Sequence, residues 1–235
     1  MEYITGKQVI QEALRGGLRL RKLYVEDRMA KDPEWTTLVA RSGLEPQPFP
    51  EELKGELVHS QGVAAVYEGF PYQELDQVLN TVGEESLVVV LDHLEDPHNL
   101  GAIIRTALCG GADAIIIPDD RSVRVNQTVL KVSSGAAFHI PVIKVKNIAQ
   151  ILDTLKGKGY WVYGADMDGQ ETLFQASLQG KICLVVGNEG KGLSSLVKKR
   201  CDGLISIPQV GPLGSLNVSV ATGIIIYEVL RKRNS

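Results

Sequence analysis

Five consecutive apolar residues, Leu87-Val88-Val89-Val90-Leu91, constrain this chain more than any other stretch. A half-exposed strand alternates apolar and polar side chains, whereas an unbroken apolar run needs apolar neighbours on both faces. Asp96-Pro97 follows, an N-cap residue and a first-turn proline that together predict a helix. Gly110-Gly111 ends that helix, and residues 114–117 read as the next strand. Strand, helix and strand in so few residues make a βαβ unit. Residues 160–164, 182–187 and 204–207 read as further strands, and 218–230 as a closing helix. Residues 86–235 are therefore expected to form an α/β domain with a largely parallel sheet.

Residues 1–72 read as a smaller α/β unit. Val9, Ile10, Ala13 and Leu14 recur at helical spacing between Gly6 and Gly16. Residues 23–26 and 63–67 read as short strands and 35–42 as a second amphipathic helix. Residues 73–85 are expected to link the two parts, with room for a short helix.

Composition narrows the function classes. The 235 residues carry a formal net charge of -3. That argues against a protein whose main task is to coat nucleic acid, which needs wholesale phosphate neutralisation. A local basic site is compatible with it. Arg15, Arg19, Arg21 and Lys22 form such a cluster, although residues 1–72 hold nine Lys and Arg against eleven Asp and Glu. Lys198-Lys199-Arg200 and Arg231-Lys232-Arg233 sit at expected helix ends, where the dipole favours cations. His59, His93, His98 and His139 show no metal-ligand spacing, and no metal is expected. Cys109, Cys183 and Cys201 read as small buried hydrophobes in a reducing compartment. The opening MEYITGKQVI has no apolar signal core, so a soluble, cytoplasmic protein is expected.

Three segments carry candidate chemistry. In Asp96-Pro-His-Asn-Leu-Gly-Ala-Ile-Ile-Arg105, Asn99 falls in the first helical turn, at the strand end where open α/β sheets bind ligands. Arg105 sits among Ile103, Ile104 and Ala107, and a charge buried there would need a partner. A structural ion pair and an anion-binding or substrate role are both open. Gly187-Asn-Glu-Gly-Lys-Gly192 follows a buried strand. It lacks the spacing of a P-loop and of the dinucleotide fingerprint, and Glu189 is an acid that a plain turn does not need. The third segment runs from Ile207 through Pro208, Gly211, Pro212 and Gly214 to Ser215 and Asn217, ahead of a helix. Capping accounts for one of those two polar residues and not for both.

Together the segments resemble the three motifs of the SpoU (TrmH-type) methyltransferases, and most of all the RlmB-like guanosine-2′-O-methyltransferases of bacterial 23S ribosomal RNA. Asn99, Gly101 and Arg105 match the first motif. Gly187, Glu189, Gly190 and Gly192 match the second. Ile207-Pro208, Gly211 and Ser215-Leu-Asn-Val-Ser219 match the third. The stretch from Val125 to Ala136 also fits. Gly6-Lys-Gln-Val-Ile10 and His59-Ser-Gln-Gly62 resemble the ribosomal-protein-like RNA-binding domain that precedes the catalytic domain in this subgroup. Gln209 stands where the family often has methionine, and Pro212-Leu213-Gly214 stiffens the loop.

The resemblance implies an α/β-knot, a sheet whose C-terminal segment threads a trefoil knot, and a homodimer with the active site at the subunit interface. It implies S-adenosylmethionine held around Gly187, Asn188, Ile207 and Leu216, with Ala165 as a further contact. It implies RNA as partner and Asn99, Arg105, Glu189, Ser215 and Asn217 as the catalytic set. A guanidinium keeps its proton beyond pH 12, so Arg105 is better cast as a phosphate clamp and alkoxide stabiliser than as a base. In that scheme Asn99 and Asn217 orient the ribose, Glu189 fixes Arg105 or the loop, and Ser215 positions substrate. A transfer-RNA ribose methyltransferase and a non-catalytic RNA-binding or ribosome-assembly factor are the competing expectations.

Overall fold

A computed structural model describes residues 2–26, 29, 31–50, 61–212 and 214–235. His59 and Ser60 of the expected N-terminal motif, and Leu213 of the stiff loop, lie outside the described residues. The chain divides into two compact units, Met1–Pro71 with Val125–His139, and Tyr72–Arg124 with Ile140–Ser235.

The first unit is built on a three-stranded antiparallel sheet of β1 (Glu2–Thr5), β2 (Leu20–Val25) and β3 (Val63–Tyr67). Strand β3 lies in the middle and every residue of it is buried. Helix α1 (Lys7–Arg15) starts directly after Gly6, whose φ of 96° suits glycine. Helix α2 (Pro33–Ser42) is capped by Asp32, which accepts from the Trp35 amide at 3.0 Å. It stops at Gly43 in the left-handed region, with Trp35 fully buried. Residues from mid-sequence complete this unit. Helix α5 (Gln127–Val132) donates from Gln127 Nε2 to Thr5 Oγ1 at 2.8 Å, and the His139 ring meets the Glu12 carboxylate at 2.7 Å. No periodic pattern announces that return of the chain.

The second unit holds a seven-stranded sheet. Its strands are β4 (Ser86–Leu91), β5 (Ala114–Pro118), β6 (Val142–Val145), β7 (Trp161–Ala165), β8 (Glu171–Thr172), β9 (Lys181–Val186) and β10 (Gly203–Ser206). Their order is β6-β5-β4-β9-β7-β10-β8, and each pairing is parallel. Strand β4 is flanked by β5 and β9 and is buried along its whole length, as its apolar run requires. The expected α4 (Pro97–Cys109) is present, with Asp96 accepting from the His98 amide at 2.9 Å and Pro97 in the first turn.

Three readings need correction. Residues 73–85 are more than a linker: α3 (Leu75–Leu79) buries Val78 and Leu79 against β4, β5 and β6. Cys109 is exposed, Cys201 half-buried and only Cys183 fully buried. Arg105 is exposed rather than embedded. A residue's chain neighbours point about 100° away from it on a helix, so burial of Ile104 says nothing about Arg105. The buried face of α4 is Asn99, Leu100, Gly101, Ile103, Ile104 and Ala107.

Helix α8 (Val218–Arg233) packs closely on α4. A Cβ on Gly110 would lie 2.3 Å from Ile226 Cγ2, and one on Gly223 would lie 3.3 Å from Thr106 Cγ2. Parallel strands bring all their carboxyl ends to one edge, where the loops that follow β4, β7, β9 and β10 meet.

Candidate active site at the carboxyl edge of the sheet

A cavity of about 530 Å³ opens mainly between three stretches of chain, residues 165–168 at the end of β7, 186–192 at the end of β9, and 205–209 with 215–225 from β10 into α8, with Lys198 beside them. Val186, Ile205, Ile207, Leu216, Ala221 and Ile225 give it apolar walls, and Asp166, Asp168, Glu189, Lys191 and Lys198 supply charges around them.

The turn after β9 is shaped by its own residues. Asn188 and Gly192 exchange both main-chain hydrogen bonds, at 3.1 and 2.9 Å. The Asn188 side chain accepts from the Gly190 amide at 3.0 Å and donates to the His93 carbonyl at 2.9 Å. Gly187 is obligatory, since a Cβ there would sit 2.2 Å from the Gly192 carbonyl carbon and 2.3 Å from the Leu193 nitrogen. The glycines of this motif thus close a turn on itself, and Asn188 serves the same turn.

Glu189 leaves that turn to join a chain of side-chain bonds. Asn99 Nδ2 donates to Glu189 Oε1 at 3.0 Å, and Asn217 Nδ2 donates to Asn99 Oδ1 at 3.1 Å. Asn217 Oδ1 in turn accepts from the Ser219 and Val220 amides, capping α8. Residues 99, 189 and 217, distant in sequence, are linked in space, and of the two expected roles for Glu189, fixing Arg105 or holding the loop, its bond to Asn99 fits the second. Asn99 is buried, while Glu189, Ser215 and Asn217 are exposed and line the cavity. Gly187, Asn188, Ile207, Leu216 and Ala165 line it as well. Arg105 does not; it stands on the exposed flank of α4.

Sequence reasoning missed the Asp166–Lys198 ion pair at the cavity wall, 2.5 Å apart, with Asp166 nearly buried. Position alone could have flagged Asp166, which follows Ala165 at a strand's carboxyl end, but not its partner. The nearby thiols offer no nucleophile. Burial pushes Cys201 up to about 12, and Cys183 is raised well above its ordinary value by the same cause. Among the described residues no cluster of His, Cys, Asp and Glu could hold a metal ion, and no helix is long and apolar enough to cross a membrane.

Residues 86–227 match the SpoU rRNA Methylase family, and the chain belongs to that family. It is 40% identical over 240 residues to the putative TrmH family tRNA/rRNA methyltransferase YacO of Bacillus subtilis, covering 99% of this chain and 96% of that protein. A Staphylococcus haemolyticus protein described in the same family terms is 40% identical over 98% of this chain and 96% of its own length. The fold is similar to the SpoU methyltransferase AviRb of Streptomyces viridochromogenes in complex with the cofactor AdoMet. Their TM-score is 0.88 at 28% identity, over 99% of this chain and 90% of that one.

Proposed function

We propose that this protein methylates the 2′-hydroxyl of a ribose in RNA, with S-adenosylmethionine as methyl donor and a guanosine of large-subunit ribosomal RNA as target. The Glu189–Asn99–Asn217 chain at the mouth of a mixed apolar and charged cavity carries this reading. The cavity fits the donor: its volume is that of a small-molecule site, apolar walls suit an adenine ring, and Asp166 and Lys198 suit charged amino-acid groups. When bound, the donor supplies an electrophilic methyl carbon on a sulfonium.

The chain's own residues do the rest. The exposed amide of Asn217 and the Glu189 carboxylate hold the sugar edge in a fixed orientation, and Ser215 adds a hydroxyl beside them. Arg105 grips a neighbouring phosphate and stabilises the developing alkoxide, leaving the proton to that phosphate or to water.

Arg105 faces outward, so a second copy of the chain brings it to the reacting ribose. Helix α8 supports that homodimer. Its inner face buries Thr222, Ile225, Ile226 and Val229, yet Val220, Ile224 and Tyr227 remain exposed at 50%, 38% and 50% on another face. A helix apolar on two sides has two apolar surfaces to cover. The threading of residues 207–217 into a trefoil knot, a substrate-binding role for the first unit and a cytoplasmic location complete the proposal. A cavity walled by three separate stretches of chain is what such threading would build.

The test is to incubate the protein with labelled methyl donor and unmodified ribosomal and transfer RNA, then map alkali-resistant linkages. Methyl groups on ribose oxygens of one large-subunit guanosine are expected. Methylation of a base, or no transfer to any RNA, overturns the reading; transfer to a transfer-RNA ribose keeps the chemistry and replaces the target.

A further inference from the structure

The carboxyl edge of the sheet continues beyond the cavity, past β4 to β5 and β6, and its character changes there. Residues 119–124 after β5 and residue 146 after β6 carry Arg121, Arg124 and Lys146, with Lys144 at the end of β6. These four cations face two carboxylates, Asp119 and Asp120.

The four cations are not equivalent. Lys144 donates to Asp119 at 3.1 Å and lies over the Tyr72 ring, 4.6 Å from its centroid. Arg124 donates to the Asp119 carbonyl at 3.2 Å and approaches its carboxylate at 3.4 Å. Asp119 thus occupies two cations and anchors them. Arg121 and Lys146 are exposed and make no hydrogen bond or ion pair among the described residues, although the Lys146 charge acts through space on Asp119. Arg121 is also held at φ 53°, in the left-handed region that disfavours a branched or long side chain. Arg121 thus holds a guanidinium at a backbone position that glycine would adopt freely.

This edge is fixed to the active site by hydrogen bonds between loops. The Val123 amide and the Ser122 hydroxyl both donate to the Leu94 carbonyl, at 2.8 and 3.0 Å. One residue back, the His93 carbonyl accepts from Asn188 of the cavity turn, and His93 itself sits at φ 62°. Asp92, buried, accepts from the Ser194 amide at 2.9 Å. Three loops, after β9, β4 and β5, therefore form one rim. Strand spacing puts β5 about 10 Å from β9, roughly the reach of the next nucleotide or two along a strand.

We propose that Arg121 and Lys146, braced by Arg124 and Lys144, form a phosphate-binding rim that grips the RNA strand flanking the target ribose. This rests on the reading of the site as an RNA methyltransferase. The occupant is a single-stranded stretch of RNA, because the rim presents cations spaced along a loop edge to suit successive phosphates. Arg121 and Lys146 contribute to substrate affinity and not to the methyl-transfer step.

The experiment uses the full chain. Arg121→Ala/Lys146→Ala, Arg121→Lys and Arg121→Gly are compared with the parent for methyl transfer to a transcript of large-subunit ribosomal RNA. Binding of a short single-stranded RNA of mixed sequence is measured against salt. In the double variant, KM for RNA is expected to rise about tenfold with kcat within about twofold, and the log–log salt slope to fall by about 0.7 for each cation removed. Affinity for S-adenosylmethionine stays unchanged. Arg121→Lys holds RNA affinity near the parent's. Arg121→Gly loses affinity while keeping or raising the thermal midpoint, because glycine relaxes the left-handed backbone. An unchanged KM and salt slope in the double variant would overturn the rim, leaving Arg121 as a strained turn and nothing more. Should the parent transfer no methyl group to any RNA, the methyltransferase reading falls, and the salt slope still decides whether the rim binds phosphates.

Discussion

Asn99 and Arg105 lie six residues apart on α4 and meet opposite surroundings. Asn99 is buried, spends its amide on Glu189 and its carbonyl on Asn217, and so ties the helix to two distant loops. Arg105 is exposed and lines no part of the cavity. The inner wall of the site is tied together within one chain by the bonds from Asn99 to Glu189 and from Asn217 to Asn99. By contrast, Arg105 on α4 and the apolar Val220, Ile224 and Tyr227 on α8 are exposed. In the proposed dimer, groups that must be rigid before substrate arrives are built into the fold, and groups that complete the site on assembly stand at its surface.

The sharpest way to break this contrast is to truncate each residue and read activity and stability together. Arg105→Ala should lower turnover by about 10² to 10³, the scale of losing one charge-stabilising donor. Its thermal midpoint should stay within about 1 °C of the parent's, since surface truncations cost little. Differential scanning fluorimetry beside a methyl-transfer assay checks both, and a comparable fall in stability would place Arg105 in the architecture. Asn99→Leu should do the reverse in proportion. It leaves the Asn217 amide and Glu189 carboxylate without their partner and should cost about 1.5 kcal/mol, or roughly 3–6 °C in a chain of this length. The solvent available to exposed Glu189 and Asn217 holds that figure down. An unchanged melting point would mean that the bonded chain of side chains contributes nothing to the fold.

The same contrast shows where the sequence was legible. The run from Leu87 to Leu91 specified a strand buried on both faces, and Asp96-Pro97 placed the start of α4, because both signals are local. Glu189 among glycines was an acid that a plain turn does not need, and its carboxylate leaves the turn to meet Asn99. The misreading of Arg105 came from treating neighbours in sequence as neighbours in space, which the helical period forbids. The linker reading failed for a related reason: burial of Val78 and Leu79 depends on β5 and β6 passing nearby, a tertiary fact without local trace. Asp166 and Lys198 pair across 32 residues, and no spacing rule couples them. Local rules reach caps, turns and strand burial; side-chain convergence needs the topology.

The smallest effect separates a shared site from a self-contained one. If Arg105 acts across a dimer, one chain supplies the guanidinium and the other supplies Asn217. Homodimers of Arg105→Ala, or of Asn217→Ala, then lack an essential group at both sites. A mixed dimer carries both lesions at one site and neither at the other. Equal amounts of the two variants, unfolded and refolded together, give half mixed dimers, each with one working site of two. About a quarter of parental turnover should return, as expected for a two-fold symmetric pair. Were Arg105 to serve the cavity of its own chain, both sites of the mixed dimer would be defective and no activity would reappear. Size-exclusion chromatography of the parent at assay concentration guards the inference. A monomeric elution with full parental activity would remove the need for a second copy and return the exposed α8 face to some other partner.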